Sequence, residues 1–337
     1  MRLFRCSLVL ASASLLLLAA CGSDSTDDPP GCTKADIAAV TELHKFVVNG
    51  VKIPANIQQA GQLALNIDSD ADNTKDNQLG EVIGAIAGLV GSSIDFNETA
   101  GEALNEGSII LLAEVKATSL TEGCGSVNVY LGKDPTPAPC ENAQDTTCGR
   151  HLDGNGTFVI DDSVSADTEV VGTVNNSRFL LTKNDEPGSV SIQLDLGDGQ
   201  PITLNLSGAR IEIPTLATTG ITDGLLGGAI TKEHLDETII PAIHGFVEEA
   251  VKDDCTAPPN CTCTLSSPGA LILDTFDLKP KDCVVTQEEL TTHELIETVL
   301  KSDVDLFDAK GVFNPNDDGV VDSLSLGIGF SATTASF

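Results

Sequence analysis

Val190-Ser191-Ile192-Gln193-Leu194-Asp195-Leu196, then Gly197-Asp198-Gly199-Gln200, then Pro201-Ile202-Thr203-Leu204-Asn205-Leu206 is the stretch whose reading decides the fold. Apolar and polar residues alternate strictly on either side of a glycine-rich break. A period of two places one set of side chains on each face of a strand, so this stretch predicts an antiparallel hairpin with its apolar face on a core. Ala209, Ile211 and Ile213 carry the pattern onward. Thr157–Ile160, Glu169–Val174 and Arg178–Thr182 read as further strands, and period two prevails from Gly125 to Ile230. A strand over Ser108–Val115 precedes this region. Leu324, Leu326, Ile328 and Phe330 alternate at the far end and predict a terminal strand that joins the same sheet.

Helical spacing surrounds this core. Ile37, Val40, Leu43 and Val47 predict an amphipathic helix over Thr33–Val48. Leu79, Val82, Ile83, Ile86 and Val90 predict a second, rich in glycine, and Asn97–Asn105 a third. Thr231–Val251 reads as a helix kinked or divided at Pro241, because proline lacks the amide that the preceding turn needs. Thr286-Gln287-Glu288-Glu289 is a capping box, with Val285 placed to staple onto Leu290, and it opens a helix over Gln287–Leu300. No period of 20 to 50 residues appears, so solenoids and propellers are not supported. The fold class expected is α+β: an antiparallel β-sheet core, made of the central region and the C-terminal strand, flanked by helices and stabilised by disulfides.

Arg2 and Arg5 precede an apolar run from Leu8 to Ala20, which ends Leu18-Ala19-Ala20-Cys21. A charged start, a short apolar core and small residues at its end make a secretory signal. The small-small-cysteine step resembles the lipobox of bacterial lipoproteins. That resemblance implies cleavage before Cys21, acyl chains such as palmitate on Cys21, and attachment to a membrane outside the cytoplasm. Gly22 in the second mature position resembles lipoproteins sorted to the outer membrane, facing the periplasm or the cell surface. The expected organisation is a signal peptide over 1–20, the lipidated cysteine and an acidic tether over 21–31, and one α+β domain over 32–337. Within it, 33–106 is helical, 108–230 is β-rich, 231–302 holds helices and a cysteine-rich loop, and 303–337 holds an Asp-rich loop and the terminal strand.

Removing Arg2 and Arg5 from 18 basic residues leaves 16 against 50 acidic ones, a net charge of −34. Such a charge repels phosphate backbones and excludes nucleic acid as a partner. It favours cations. With no tryptophan and one tyrosine, Tyr130, stacking platforms for sugars are nearly absent. Setting aside Cys6 and Cys21, an even set remains: Cys32, Cys124, Cys140, Cys148, Cys255, Cys261, Cys263 and Cys283. In an exported chain these read as disulfides. Proximity pairs Cys140 with Cys148 and makes Cys255, Cys261, Cys263 and Cys283 a local knot. Cys32 with Cys124 is left. A zinc cluster at Cys261-Thr262-Cys263 is the rival, weakened by the lack of paired CxxC steps.

Two segments carry coordination chemistry. Asp68, Asp70 and Asp72 occupy alternate positions, followed by the Thr74 carbonyl and Asp76. Alternate oxygens in a tight loop can turn toward one hard cation such as calcium. The segment Asn314, Asn316, Asp318, the Val320 carbonyl and Asp322 repeats the frame with Gly319 at its sixth position, and Asp305 or Asp308 stands near to supplement it. Both lack the closing glutamate of an EF-hand and resemble the shorter calcium repeats of dockerins and thrombospondin type 3 modules. That composition predicts affinities of roughly 10⁻⁴ to 10⁻³ M. The competing account makes both segments polar turns whose Asp and Asn side chains bond their own backbone.

No Gly-x-Ser-x-Gly elbow, phosphate-cradling loop or dinucleotide fingerprint is present. No catalytic residue is assigned. Three functions follow in order of expectation: a non-catalytic, calcium-stabilised structural or surface-binding lipoprotein; a carrier of an apolar ligand in a cavity between the sheet and the glycine-rich helix; and a hydrolase with a carboxylate or metal centre near His234, His244 or His293. A large apolar pocket without convergent polar groups distinguishes the second. A cleft placing a histidine beside several acids distinguishes the third.

Overall fold

The alternating stretch forms the hairpin it predicts. In the computed structural model, Val190 faces Leu206, Ile192 faces Leu204 and Leu194 faces Ile202 across an antiparallel ladder. The structure describes residues 31–68, 74–90, 95–140, 145–161, 169–181, 186–194, 201–256, 261–278, 280–316 and 318–337. The hairpin's turn at Gly197–Gln200 lies outside these. The strands are β1 (Leu43–Lys52), β2 (Leu111–Ala117), β3 (Glu122–Thr136), β4 (Gly156–Ile160), β5 (Val170–Asn175), β6 (Arg178–Leu180), β7 (Gly188–Leu194), β8 (Ile202–Glu212), β9 (Thr215–Ala217), β10 (Gly220–Thr231) and β11 (Ser323–Ser336).

They join in one mainly antiparallel sheet, ordered β6-β5-β3-β2-β1-β11-β10-β8-β7, with β4 and β9 attached at its sides. The ends of this order meet. Phe179 and Ile213 exchange both backbone hydrogen bonds, at 2.9 and 2.8 Å, and the Val171 amide donates to the Glu186 carbonyl at 3.1 Å. The sheet therefore curls on itself and leaves few open edges. Its concave face packs a continuous core of Phe46, Val115, Val127, Phe179, Ile192, Leu206 and Leu326.

The terminal strand joins the sheet at its centre, between β1 and β10. Its sequence explains how. In Ser323-Leu324-Ser325-Leu326-Gly327-Ile328-Gly329, the large residues enter the core and the small ones face outward. The helices are α1 (Lys34–Ile37), α2 (Ile57–Gln62), α3 (Gln78–Val90), α4 (Phe96–Glu106), α5 (Lys232–His234), α6 (Ile240–Asp254), α7 (Pro268–Phe276), α8 (Gln287–Thr292) and α9 (Glu294–Val299). The small outward face of β11 lets the α2–α3 connection approach the backbone closely: a side chain at Gly327 would run into the Leu63 carbonyl. Buried Asn77 closes this contact. Its amide donates to the carbonyls of Ala60 and Gly327, each at 3.0 Å, and accepts from the amides of Gly80 and Gly327.

Three expected helices differ in form. Thr33–Val48 is helical only over Lys34–Ile37, and its second half is strand β1. Phe46, Val47 and Val48 are all buried because β1 is an interior strand covered on both faces. Such a strand shows no alternation, and its apolar spacing mimics a helix. The Pro241 break takes the shape of a π-helical turn over Leu235–Ile239, with the proline in the first turn of α6. The Gln287–Leu300 helix opens with the expected capping box but divides at His293, whose backbone is extended. Val285 and Leu290 are buried in one cluster, as the staple requires.

Among the described residues four disulfides close the chain: Cys32–Cys124, Cys140–Cys148, Cys255–Cys263 and Cys261–Cys283. The first ties Cys32, just before α1, to β3 across 92 positions. Residues Gly31–Phe337 pack as one compact unit. Among the described residues no helix is long and apolar enough to cross a membrane.

Candidate functional site

A cavity of about 140 Å³ lies where the end of the β7–β8 hairpin at Leu194 and Ile202 meets the helices. The hairpin contributes Leu194, Ile202 and Leu204, and α3 contributes Leu79, Val82 and Ile83. From the π turn and α6 come Ile239, Ile243, Phe246 and Val247. Helix α7 adds Leu271, Ile272 and Phe276, and Leu290 of α8 and Ile296 of α9 complete the wall. Thr275 is the one polar lining residue, and its hydroxyl already donates to the Leu271 carbonyl at 2.8 Å. The cavity thus offers an occupant apolar surface and no free hydrogen-bonding side chain. Leu271, exposed on α7, marks its approach from solvent.

Local sequence explains the wall. Ser267 caps α7 by accepting from the Ala270 amide, with Pro268 at the first helical position. This sends Leu271, Ile272, Thr275 and Phe276 onto one side at helical spacing. The Thr286–Glu289 capping box fixes α8, and the break at His293 redirects α9 so that Ile296 also faces inward. His293 lies edge-on to Phe276, ring centres 5.0 Å apart.

The two Asp-rich segments are brought together. The Asn316 side-chain amide donates to the Asp68 carbonyl at 2.7 Å, and the Asn316 backbone amide donates to the Asp305 carbonyl at 3.2 Å. Asp68 and Asp305 are both buried. Burial pushes the Asp303 carboxyl above its usual range, the Asp68 charge adds to this, and hydrogen bonds from Ser325 oppose it.

Several assigned oxygens accept from the chain itself. Asp76 accepts from the Ile67 amide at 3.1 Å, and Asp318 from the Val320 amide at 2.9 Å. Asp322 accepts from the amides of Leu306 and Phe307 and from the Ser323 hydroxyl. Gly319 takes the left-handed conformation, φ 72°, that its place in the frame calls for. Thr74 and Val320 are exposed, and Asp70 and Asp72 lie outside the described residues. Among the described residues no three His, Cys, Asp or Glu side chains are gathered to hold a metal ion. Cys21 also lies outside the described residues.

Each histidine considered for hydrolysis has a local partner. His234 Nε2 lies 3.1 Å from the Thr203 carbonyl, and His244 Nε2 lies 2.8 Å from the Val285 carbonyl. His244 Nδ1 approaches Glu248 at 3.9 Å.

Among the buried polar residues that sequence reasoning missed are Arg210 and His151. Arg210 Nε donates to the Ile67 carbonyl at 3.1 Å, setting a cation beside the first Asp-rich segment. Its only signal was a lone charge inside the alternating run. His151 is fully buried against Phe158, ring centres 6.0 Å apart, and reaches no hydrogen-bond partner of good geometry among the described residues. Burial pushes its pKa down, partly offset by the Leu104 carbonyl and the Asp153 charge. No protein-family model, curated protein or solved structure matches this chain.

Proposed function

We propose that this chain is an exported protein, lipid-anchored through Cys21 to the outer membrane, that carries an apolar ligand in the cavity between β7–β8 and the helices. The single observation that carries the reading is the lining: apolar throughout, with its one hydroxyl already bonded within α7. Ligand pockets are mostly apolar concavities beside a preformed scaffold, and barrel mouths are a common place for them. An apolar cavity of about 150 Å³ stays dry and takes benzene-sized guests, so this cavity suits a small ring or the end of a hydrocarbon chain.

The test is a neutral apolar probe whose fluorescence rises on leaving water, titrated into the protein and into Ile243→Trp. Saturable binding that the tryptophan abolishes, with the fold retained by circular dichroism, supports the reading. No saturable binding to the wild type overturns it. Cys21→Ser should release the protein from the membrane fraction; continued membrane association would overturn the anchor.

A second reading, calcium as a stabilising ion, is supported by the meeting of the two Asp-rich segments through Asn316 and Asp68. The ion would draw on Asp68, Asp70, Asp72, Thr74 and Asp76, with Asn314, Asn316, Asp318, Val320 and Asp322 forming the second set. Its role would be to neutralise carboxylates that the fold crowds together. Calcium titration by calorimetry, with melting followed in parallel, tests it: no heat of binding and no rise in melting temperature would overturn it.

A further inference from the structure

We infer that the ligand of this cavity is a cationic amphiphile, a hydrocarbon body with an amine or alkylammonium head, and that carboxylate-headed lipids are rejected. The inference rests on the carrier reading and adds a head group to it. Inside, the lining gives an apolar body what it needs and gives a polar head nothing. The head must therefore stay outside the cavity, in the field of the surrounding helices.

That field is mostly negative. Every helix bearing more than one turn of wall carries an acid directly beside a lining residue: Glu81 before Val82, Glu248 after Val247, and Asp274 before Thr275. The shorter α8 and α9 repeat this with Glu289 before Leu290 and Glu297 after Ile296. Across α3, α6, α7, α8 and α9 the only lysine or arginine is Lys252. Lys281 approaches Asp274 at 3.4 Å, but this pair is exposed and screened. Surroundings dominated by one sign of charge beside low-dielectric walls concentrate ions of opposite charge and repel ions of the same charge. An anionic head would also meet the chain's overall excess of acids, 50 against 18 basic residues.

The experiment compares decyltrimethylammonium, decanol and decanoate, each below its micelle concentration, as competitors of the neutral fluorescent probe. The three share one chain and differ in head charge. One unit charge near one carboxylate in water predicts roughly a fivefold advantage for the ammonium over the alcohol. Decanoate should fall below decanol by a similar factor. Both gaps should close between about 0.01 M and about 1 M salt, where the screening length drops from about 30 Å to about 3 Å.

Tetramethylammonium, which has the head and no chain, should not compete. Ile243→Trp, or Val247→Phe if the first fails to fold, should remove ammonium binding and so exclude attraction to the acidic surface at large. Equal affinities for the three probes, or decanoate binding best, would overturn the head-group inference and leave the carrier reading standing. Competition by tetramethylammonium, or ammonium binding that survives in the filled variant, would overturn it as well. If neither the neutral probe nor any decyl compound binds, the carrier reading itself fails.

Discussion

The side-chain amide of Asn316 donates to the backbone carbonyl of Asp68 across 2.7 Å and 248 positions of sequence. One bond thereby joins the two segments that share an alternating Asp/Asn pattern. Asp305 braces the same junction, its carboxylate accepting from the Gly319 amide at 2.8 Å and its carbonyl from the Asn316 amide. The junction crowds carboxylates: Asp303 lies close enough to Asp68 for the two charges to interact.

Asn316→Ala should cost about 1 kcal/mol in chelator, the net worth of one hydrogen bond. If the Asn316 oxygen also serves a calcium ion, the difference from wild type should grow in millimolar calcium. Urea denaturation in both buffers measures the two gaps. Equal gaps would make Asn316 a tie between loops and remove it from the ligand set.

Asn77 fills a similar bridging role in the core, with every partner buried. Asn77→Ala leaves the amides of Gly80 and Gly327 and the carbonyls of Ala60 and Gly327 without their side-chain partner. Each stranded buried group costs about 1–3 kcal/mol, and the losses overlap, so about 3 kcal/mol or more is expected. Asn77→Asp should be at least as damaging, because a carboxylate cannot donate to the two carbonyls. A loss below about 1 kcal/mol for either variant would show that water or backbone movement replaces the amide.

How much of this was legible follows from where each feature is encoded. The β7–β8 hairpin was readable because every second residue on both strands is apolar over an unbroken run. The Thr286–Glu289 cap was readable because all its parts lie within four residues. Strand β1 was not, since Phe46, Val47 and Val48 are buried together and leave no period of two. The Cys140–Cys148 pair followed from proximity, whereas the knot offered three pairings and only the fold selects Cys255 with Cys263. A cavity between the sheet and the glycine-rich α3 was foreseeable, but the parts that α6, α7, α8 and α9 contribute were not. Those helices meet only through tertiary packing. Asn77 gave no signal, because its partner Gly327 lies 250 positions away.

Thr286→Ala should cost about 1 kcal/mol, typical of losing an N-terminal cap. The Thr286 hydroxyl accepts from the Glu289 amide at 3.2 Å, and the Glu289 carboxylate accepts from the Thr286 amide at 2.9 Å. This reciprocal bond holds the Glu289 carboxyl below its usual range. Since Leu290 follows directly and lines the cavity, the variant should also weaken probe binding. Denaturation midpoint and probe affinity are read on one preparation, and an unchanged midpoint would count against the cap.

His151 predicts a pH dependence whose sign can be worked through. Its imidazole is buried against Phe158, and burial lowers its pKa below the ordinary 6.5. Among its neighbours, Asp153 favours the charged form, while Arg150 is held by Asp145 at 2.7 Å. Below about pH 6.5 the unfolded chain binds a proton that the folded chain refuses, so stability falls as the pH drops. The loss continues until the folded pKa is reached and then stops. His151→Phe keeps an aromatic partner for Phe158 and has no proton to bind. Plotted against pH, the stability of wild type minus that of the variant should be flat above about pH 7.5. Below about 6.5 it should decline by about 1.4 kcal/mol per unit until it levels. Taking the difference cancels the carboxylates that titrate in the same acid range. A difference that stays flat throughout, or that rises toward acid pH, would show that His151 accepts its proton in the folded state.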